Sequence, residues 1–463
     1  MPKLKKRQQV ELKIEKVAFG GKGIAFLDDF VIFVERTVPG DVVQARIKKI
    51  KKSFAEAYPV EFIQRSPLRG KAPCVHFEHC GGCRWQDIDY EEQLRFKRAH
   101  VLEVLKHIAG IKETTVEDIL PAPQIFGYRN KMEFSFAEKG WLTPEELQNE
   151  HIQKTFALGL HVPGYFDKVV NIEYCHLQSE EMNAVLNFSR EFFSASGIPV
   201  YHPRTHQGIL RFLVLRQSFS TGKIMVILVT ATDLSEELSE YVEQLQKKFP
   251  LVASVYNGIN SRPAQIAAAE TYLLLYGEPV LYEKIGQFQF EISPDSFFQT
   301  NTLQAKNLYE LIHQYAGVQD DIVWDLYSGT GSIAIYLAEQ ARKVIGFEIV
   351  EKAVEDARRN ADVNGISNCE FVAGDVRHLV GDYKHVPPRV LICDPPRSGM
   401  HKDVVKTILE IAPQRIIYVS CNPATMARDI ALLAGAYNVR KVHPVDMFPH
   451  TYHIESVVQL ERQ

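Results

Sequence analysis

Cysteine is scarce in this chain of 463 residues: Cys74, Cys80, Cys83, Cys175, Cys369, Cys393 and Cys421 are all it has. An odd count, behind a Lys-rich amino terminus with no apolar core following it, argues against a secreted disulfide framework and leaves ligation or catalysis. Long apolar runs are also missing. No segment reaches the roughly 18 uncharged apolar residues that span a bilayer, so a cytoplasmic protein without membrane contact is expected. Neither charge dominates, with 53 Lys and Arg against 57 Asp and Glu, and no repeat or low-complexity tract suggests a solenoid or a disordered chain. What remains is a soluble globular composition, 46% hydrophobic and 24% charged, in a chain long enough for two to four domains.

The charge is unevenly spread. Residues 1–60 hold 13 Lys or Arg against 7 Asp or Glu, a footprint for polyanion contact or a solvated charged face. Short β-like runs at 9–14, 23–27, 30–34 and 41–50, separated by Gly20-Gly21 and Pro39-Gly40, predict a small barrel of the oligonucleotide-binding type. This segment looks like a TRAM domain in Phe19-Gly20-Gly21-Lys22-Gly23 and Val38-Pro39-Gly40-Asp41, which implies RNA binding. Lys48, Lys49, Lys51 and Lys52, with Phe54 and Tyr58 nearby, offer charge for phosphates and rings for bases.

In Cys74-Val75-His76-Phe77-Glu78-His79-Cys80-Gly81-Gly82-Cys83 the two glycines allow a tight turn that would aim three thiolates at one point, and Cys175 can supply a fourth. Such a set can hold an iron–sulfur cluster or zinc, and the spacing does not choose between them. An amphipathic helix is expected over 90–109. Phe126-Gly127-Tyr128-Arg129-Asn130-Lys131 mixes rings and cations in a manner that suits unstacked RNA or a solvated β edge. A β-rich middle follows, with a helix from about 233 to 248.

From Phe288 the pattern alternates strand and helix, which predicts a doubly wound, mostly parallel sheet with its site at the carboxyl edge. Val323-Trp324-Asp325-Leu326-Tyr327-Ser328-Gly329-Thr330-Gly331-Ser332 reads as a strand, a glycine turn and a helix start, a cradle for a nucleotide-like ligand. Glu348 ends the next strand where a ribose diol needs an acceptor. Asp375 follows a third strand, facing an adenine amino group or serving as a plain turn residue. Two prolines after Asp394 stop the ladder and fix its carboxylate toward the crevice. Cys421 closes a fifth strand, placed as a nucleophile, whereas Cys369 and Cys393 read as small core residues. Glu455 stands at the start of a last strand.

Phe298-Gln299-Thr300-Asn301, Asp325-Leu326-Tyr327-Ser328-Gly329-Thr330-Gly331, Asp394-Pro395-Pro396-Arg397, Ser420-Cys421-Asn422-Pro423 and Thr451-Tyr452-His453-Ile454-Glu455 together resemble the RNA 5-methyluridine methyltransferase family. The resemblance spans the chain. With the TRAM-like segment and the four cysteines it is most similar to the 23S ribosomal RNA branch, whose members carry a [4Fe-4S] cluster, features that the transfer RNA branch typically lacks. It implies an α/β fold class: a Rossmann-like methyltransferase domain over 286–463, a central α+β iron–sulfur domain over 65–285 in which 90–120 pack on the catalytic domain, and a barrel over 1–64. It also implies S-adenosylmethionine as cofactor, bound with the target base by Gln299, Tyr327, Glu348, Asp375 and Asp394. Cys421 becomes the nucleophile, Glu455 the general base, and Cys74, Cys80, Cys83 and Cys175 the cluster ligands of a monomer acting on RNA. Ser328 departs from the Cys of many relatives. An amino-group methyltransferase would carry Asn-Pro-Pro-aromatic and need no Cys–Glu pair, a radical enzyme would space its cysteines as x3 and x2, and a non-enzymatic RNA-binding iron–sulfur protein would leave the glycine loop unexplained.

Overall fold

The computed structural model describes residues 4–111 and 116–463. Six strands, Gln9–Lys13, Lys16–Val17, Gly23–Leu27, Phe30–Val34, Val42–Ile50 and Phe54–Gln64, form the amino-terminal sheet. Alternation puts Val43, Ala45 and Ile47 of the fifth strand and Ala55 and Ala57 of the sixth inside, against Leu12, Ile14, Ile32 and Val34. The small alanines let strands close tightly around the branched residues. Asp41, fully buried, accepts from the backbone N–H of Val38 and of Ser66, each at 2.8 Å, and pairs with Arg69 at 2.7 Å, so the barrel is tied to the segment that leaves it.

The central domain is a seven-stranded sheet in the spatial order Thr271–Gly277, Val252–Ile259, Ile224–Thr230, Leu210–Gln217, Lys131–Ala137, Ala157–His161 and Val169–Asn171. Its middle strands are apolar throughout because both faces are covered. Leu213, Leu215, Val226 and Leu228 pack under helices Glu180–Ala195 and Ser239–Lys248, while Phe212, Val214, Met225, Ile227 and Val229 join the catalytic core.

The catalytic sheet has strands β1 Asp321–Leu326, β2 Ala341–Glu348, β3 Cys369–Ala373, β4 Val390–Cys393, β5 Arg415–Ser420, β6 Tyr437–Val445 and β7 Glu455–Arg462. Their order is β3-β2-β1-β4-β5-β7-β6, parallel as far as β5, with β7 antiparallel to both neighbours. The winding reverses between β1 and β4, which opens a crevice at their carboxyl ends. Leu281, Ile285, Phe288, Phe290 and Ile292 of the hairpin Leu281–Ile285/Phe288–Ile292, which turns at Gly286 with φ 60°, are buried in the core shared by this sheet and the central one.

Candidate active site

After β1 the chain turns back through left-handed backbone at Tyr327, Gly329 and Gly331, with φ of 64°, 54° and 78°. The two glycines serve different needs. A Cβ on Gly331 would meet the Phe371 ring at 2.8 Å and the Ala357 Cβ at 2.9 Å, so close packing forbids a side chain; around Gly329 nothing lies within 4 Å, leaving room for a ligand against the backbone. Helix Ser332–Leu337 begins there. Glu348, at the end of β2, accepts from Gly329 N–H at 3.0 Å and Val350 N–H at 2.9 Å, which fixes its carboxylate beside the loop. Asp325 sits beneath, fully buried, its carboxyl held well above the usual range by burial and by the Asp394 charge.

Asp375 caps helix Val376–Asp382, accepting from Arg377 N–H at 2.9 Å, and pairs with the Arg377 guanidinium. Those bonds hold its carboxyl down at about 2. Asp375 thus serves as a helix cap at the carboxyl end of β3. Tyr327, the first residue after β1, is half-buried, and burial raises its hydroxyl above the ordinary range. Gln299 is positioned from the central domain: Asn130 Nδ2 donates to the Gln299 carbonyl at 2.9 Å, and Asn130 N–H to Thr300 O at 2.9 Å. Asn301 then caps helix Thr302–Ala316.

Cys421 and Glu455 come together through strand pairing. In the antiparallel register of β5 and β7 Ser420 opposes Ser456, so the residues one step further out, Cys421 and Glu455, face each other at the sheet edge. The Cys421 thiol is half-exposed, Glu455 is buried at 6% exposure, and Asp394 lies across from both at the end of β4. Burial pushes Cys421 up to about 11, with Glu455 and Asp394 adding and Arg397 opposing. Burial, then Asp394, raises Glu455 well above a normal carboxylate, and burial lifts Asp394 to about 6. The Arg397 loop is anchored by Asn422 Nδ2 at 3.0 Å and Thr425 Oγ1 at 3.2 Å, both donating to its carbonyl. A thiol, a carboxyl and an open glycine cradle therefore share one crevice, the set needed for covalent attack and proton removal beside a nucleotide-like ligand.

Cys74, Cys80, Cys83 and Cys175 line one cavity of about 430 Å³, whose other walls include Phe297, Thr451 and His453. The tight turn and the distant Cys175 bring the four thiols around one space, near enough for their charges to act on one another. Gly82 N–H donates to Cys80 Sγ at 3.3 Å and Gln86 Nε2 to Cys83 Sγ at 3.6 Å. The nearby histidines have other partners: Glu173 N–H donates to His76 Nε2 at 3.4 Å, His79 packs on Trp141, and His176 sits edge-on to Phe126 and Tyr174.

Sequence reasoning misses Lys97, Gln93 and Asp446, which are buried and hold the segment leading to Glu455, and His100, buried beside them and bonded to the barrel. A Lys in a helix otherwise rich in exposed charge carries no sign of its burial.

Residues 318–394 match a family described as Methyltransferase domain, residues 381–463 the family tRNA (Uracil-5-)-methyltransferase, and residues 3–60 the TRAM domain. An uncharacterized RNA methyltransferase of Bacteroides thetaiotaomicron is 43% identical over 453 residues, covering 96% of this chain and 100% of its own. Another, from Chlorobaculum tepidum, is 40% identical over 92% of this chain and 90% of its own. The crystal structure of Pyrococcus abyssi tRNA (uracil-54, C5)-methyltransferase in complex with S-adenosyl-L-homocysteine superposes with a TM-score of 0.74 at 29% identity, covering 97% of this chain and 100% of that one. No helix among the described residues is long and apolar enough to cross a membrane. With its TRAM domain, its doubly wound catalytic sheet and these relatives, the chain belongs to the RNA uracil-5 methyltransferase family and is an S-adenosylmethionine-dependent RNA (uracil-5-)-methyltransferase.

Proposed function

We propose that the enzyme methylates C5 of a uridine in ribosomal RNA of the 23S type, with Cys421 as nucleophile and Glu455 as general base. The observation that carries the chemistry is the register of β5 and β7, which sets these two residues side by side. Uracil C5 is a weak nucleophile. Addition of the Cys421 thiolate to C6 forms an S–C6 bond and pushes the C5=C6 electron pair into an enolate. Bound S-adenosylmethionine would supply an electrophilic methyl group to C5, the electron pair of its broken S–CH3 bond staying on sulfur in S-adenosylhomocysteine. Glu455 then accepts the C5 proton, the electron pair re-forms C5=C6, and the Cys421–C6 bond breaks. The open space over Gly329 and the carboxylate of Glu348 are the proposed cofactor cradle, with Tyr327 and Asp375 at its rim and Gln299 and Asp394 between cofactor and base. The target must leave its stack to admit the thiol to C6.

For the cysteine set the same reading assigns a structural [4Fe-4S] cluster to Cys74, Cys80, Cys83 and Cys175. Four thiols around one cavity, with N–H groups donating to two of the sulfurs, supply one thiolate for each iron of such a cluster. Anaerobically isolated protein is expected to be brown with about four irons per chain; stoichiometric zinc without iron overturns the metal and keeps the site.

Transfer RNA is the competing substrate, because the archaeal transfer RNA enzyme aligns over its whole length and domain content alone does not separate the two. Mapping 5-methyluridine in both RNAs from cells with and without the gene decides. Loss confined to transfer RNA would remove the ribosomal reading. The nucleophile is tested by incubation with 5-fluorouridine RNA and S-adenosylmethionine, which should leave a denaturation-resistant complex, since fluorine does not depart as a proton. A Cys421→Ser protein that still traps RNA refutes the assignment.

A further inference from the structure

A cavity of about 350 Å³ lies in the central domain, within the size range of small-molecule sites. Its walls come from the strands Lys131–Ala137, Ala157–His161 and Val169–Asn171, from residues 200–203, and from Arg211 and Gln265. It shares no residue with the cysteine cavity, the glycine cradle or the Cys421–Glu455 pair.

Arg211 is the unusual group in this wall. Strand Leu210–Gln217 meets Ile224–Thr230 with a register shift between Leu210 and Phe212, so Arg211 is an extra residue released from the alternation of the ladder, a device that re-aims a side chain. It is 2% exposed, and its guanidinium lies over the Tyr201 ring at 4.3 Å. Nη1 donates to the carbonyls of Asn260 and Arg262 and Nη2 to that of Ala264, each at 2.6 Å. All three acceptors are neutral. Among the described residues the one carboxylate whose charge acts on Arg211 is Glu270, and Arg262 at 3.0 Å and Ser261 Oγ at 2.7 Å already hold it. A buried cation without a counter-ion is costly. Its donors are not all used either: among the described residues neither Arg211 Nε nor Gln265 Nε2 has a hydrogen-bond partner.

The rest of the lining does not neutralise that charge. Asp167 accepts from Arg204 Nε at 2.8 Å, and Glu138 and Lys139 are exposed and of opposite sign. His161 shares a 2.8 Å bond with Ser135 Oγ, and burial lowers its basicity, so it is neutral at pH 7. Phe136 and Val169, both buried, give the cavity an apolar side.

We propose that this cavity binds a small organic monocarboxylate, with its oxygens on Arg211 Nε and Gln265 Nε2 and its apolar body against Phe136 and Val169. One uncompensated cation calls for one negative charge, and unused N–H donors call for a group that accepts without donating, which a carboxylate does. A phosphate monoester carries close to two charges at neutral pH and exceeds what the single guanidinium offsets.

The test is calorimetric titration of the intact protein with benzoate, benzamide and inorganic phosphate. Benzoate should bind once per chain with a dissociation constant of about 1 mM or tighter. Benzamide, of the same shape but uncharged, should bind roughly tenfold more weakly or worse, and so should phosphate. Gln265→Leu, a change at a half-buried loop position, should weaken benzoate by about tenfold while leaving S-adenosylmethionine affinity as in wild type. Arg211→Gln should weaken it further; thermal unfolding shows whether that variant is folded, and Gln265→Leu carries the test if it is not. Absence of saturable benzoate binding up to about 10 mM, equal affinity for benzoate and benzamide, or unchanged benzoate affinity in Gln265→Leu each overturns the site and leaves Arg211 as a clamp on residues 260–264 alone.

Discussion

Cys421, the nucleophile proposed above, is held in the thiol form in the free protein. Burial and the adjacent Glu455 and Asp394 charges lift its thiol to about 11, and Arg397 opposes them. Below that pH the thiolate fraction grows tenfold per unit, so alkylation of the free enzyme by iodoacetamide should rise at that rate from pH 7 to about 10. Removing a neighbouring negative charge makes ionisation easier. Asp394→Asn should therefore shift the profile to lower pH, and Arg397→Ala, which removes the opposing charge, to higher pH. A wild-type profile that levels near pH 8.5, the ordinary value, would sink this account. Glu455 permits a separate prediction. On the base role proposed for Glu455, Glu455→Gln preserves shape and removes the proton acceptor, so addition and methyl transfer should proceed while release stalls. The protein should accumulate RNA bound through Cys421 and carrying the labelled methyl group, with turnover lower by on the order of 10² to 10⁴. An adduct without label would move the base role elsewhere.

Among local elements the glycine turn after β1 gives opposed expectations for two neighbouring positions. Gly331→Ala drives a methyl group into Phe371 and Ala357 and should cost about 1–3 kcal/mol of stability, read from chemical denaturation. Gly329→Ala meets no protein atom, so it should remain folded but lose affinity for S-adenosylmethionine in calorimetry; loss of folding by Gly329→Ala with intact folding by Gly331→Ala would reverse the roles. This turn is legible in sequence because both signals are local: two glycines after an apolar run. Four of the barrel strands and β1 to β5 are legible for the same reason, as apolar or alternating runs ended by turn residues, whereas Lys16–Val17 and Phe54–Gln64 lie outside the expected runs. Other elements escape. β6 is broken by a bulge between Val439 and Lys441 that disrupts its alternation. The helix expected from 233 begins at Ser239, because Asp233 Oδ1 accepts from Ser235 N–H at 2.8 Å and holds a turn ahead of it. Helix Glu180–Ala195 lies outside the expected elements although its signal is present: Ser179 caps it and Glu180 and Glu181 fill its first turn. Glu455 is named by its motif, yet its contact with Cys421 depends on long-range pairing that no local pattern encodes.

On the scale of the molecule, helix Tyr90–His107 joins the barrel, the cysteine loop and the catalytic end of the sheet. His100 Nε2 donates to the Val17 carbonyl of the barrel at 2.8 Å, and Gln93 donates to Trp85 and Ile88 while accepting from His450 N–H at 2.8 Å. Lys97, wholly buried, pairs with Asp446 at 2.5 Å and donates to the Phe448 carbonyl at 3.0 Å. Asp446 also accepts from Tyr90 Oη at 2.8 Å and Phe448 N–H at 3.1 Å. These bonds fix the segment from Asp446 to Glu455 and with it the base. Lys97→Met strands a buried carboxylate and should cost about 3–5 kcal/mol. Lys97→Met combined with Asp446→Leu replaces the pair by apolar groups and should recover most of that stability. Turnover should stay low in the double variant, since the bonds from Tyr90 and Phe448 to Asp446 are lost with the carboxylate, whereas S-adenosylmethionine affinity, set at the far side of the crevice, should match wild type. Denaturation curves, initial rates and calorimetry on the same preparations separate the two effects. Full turnover in the stable double variant would show that the buried pair serves folding alone and that Glu455 is positioned by β7 without help from the helix.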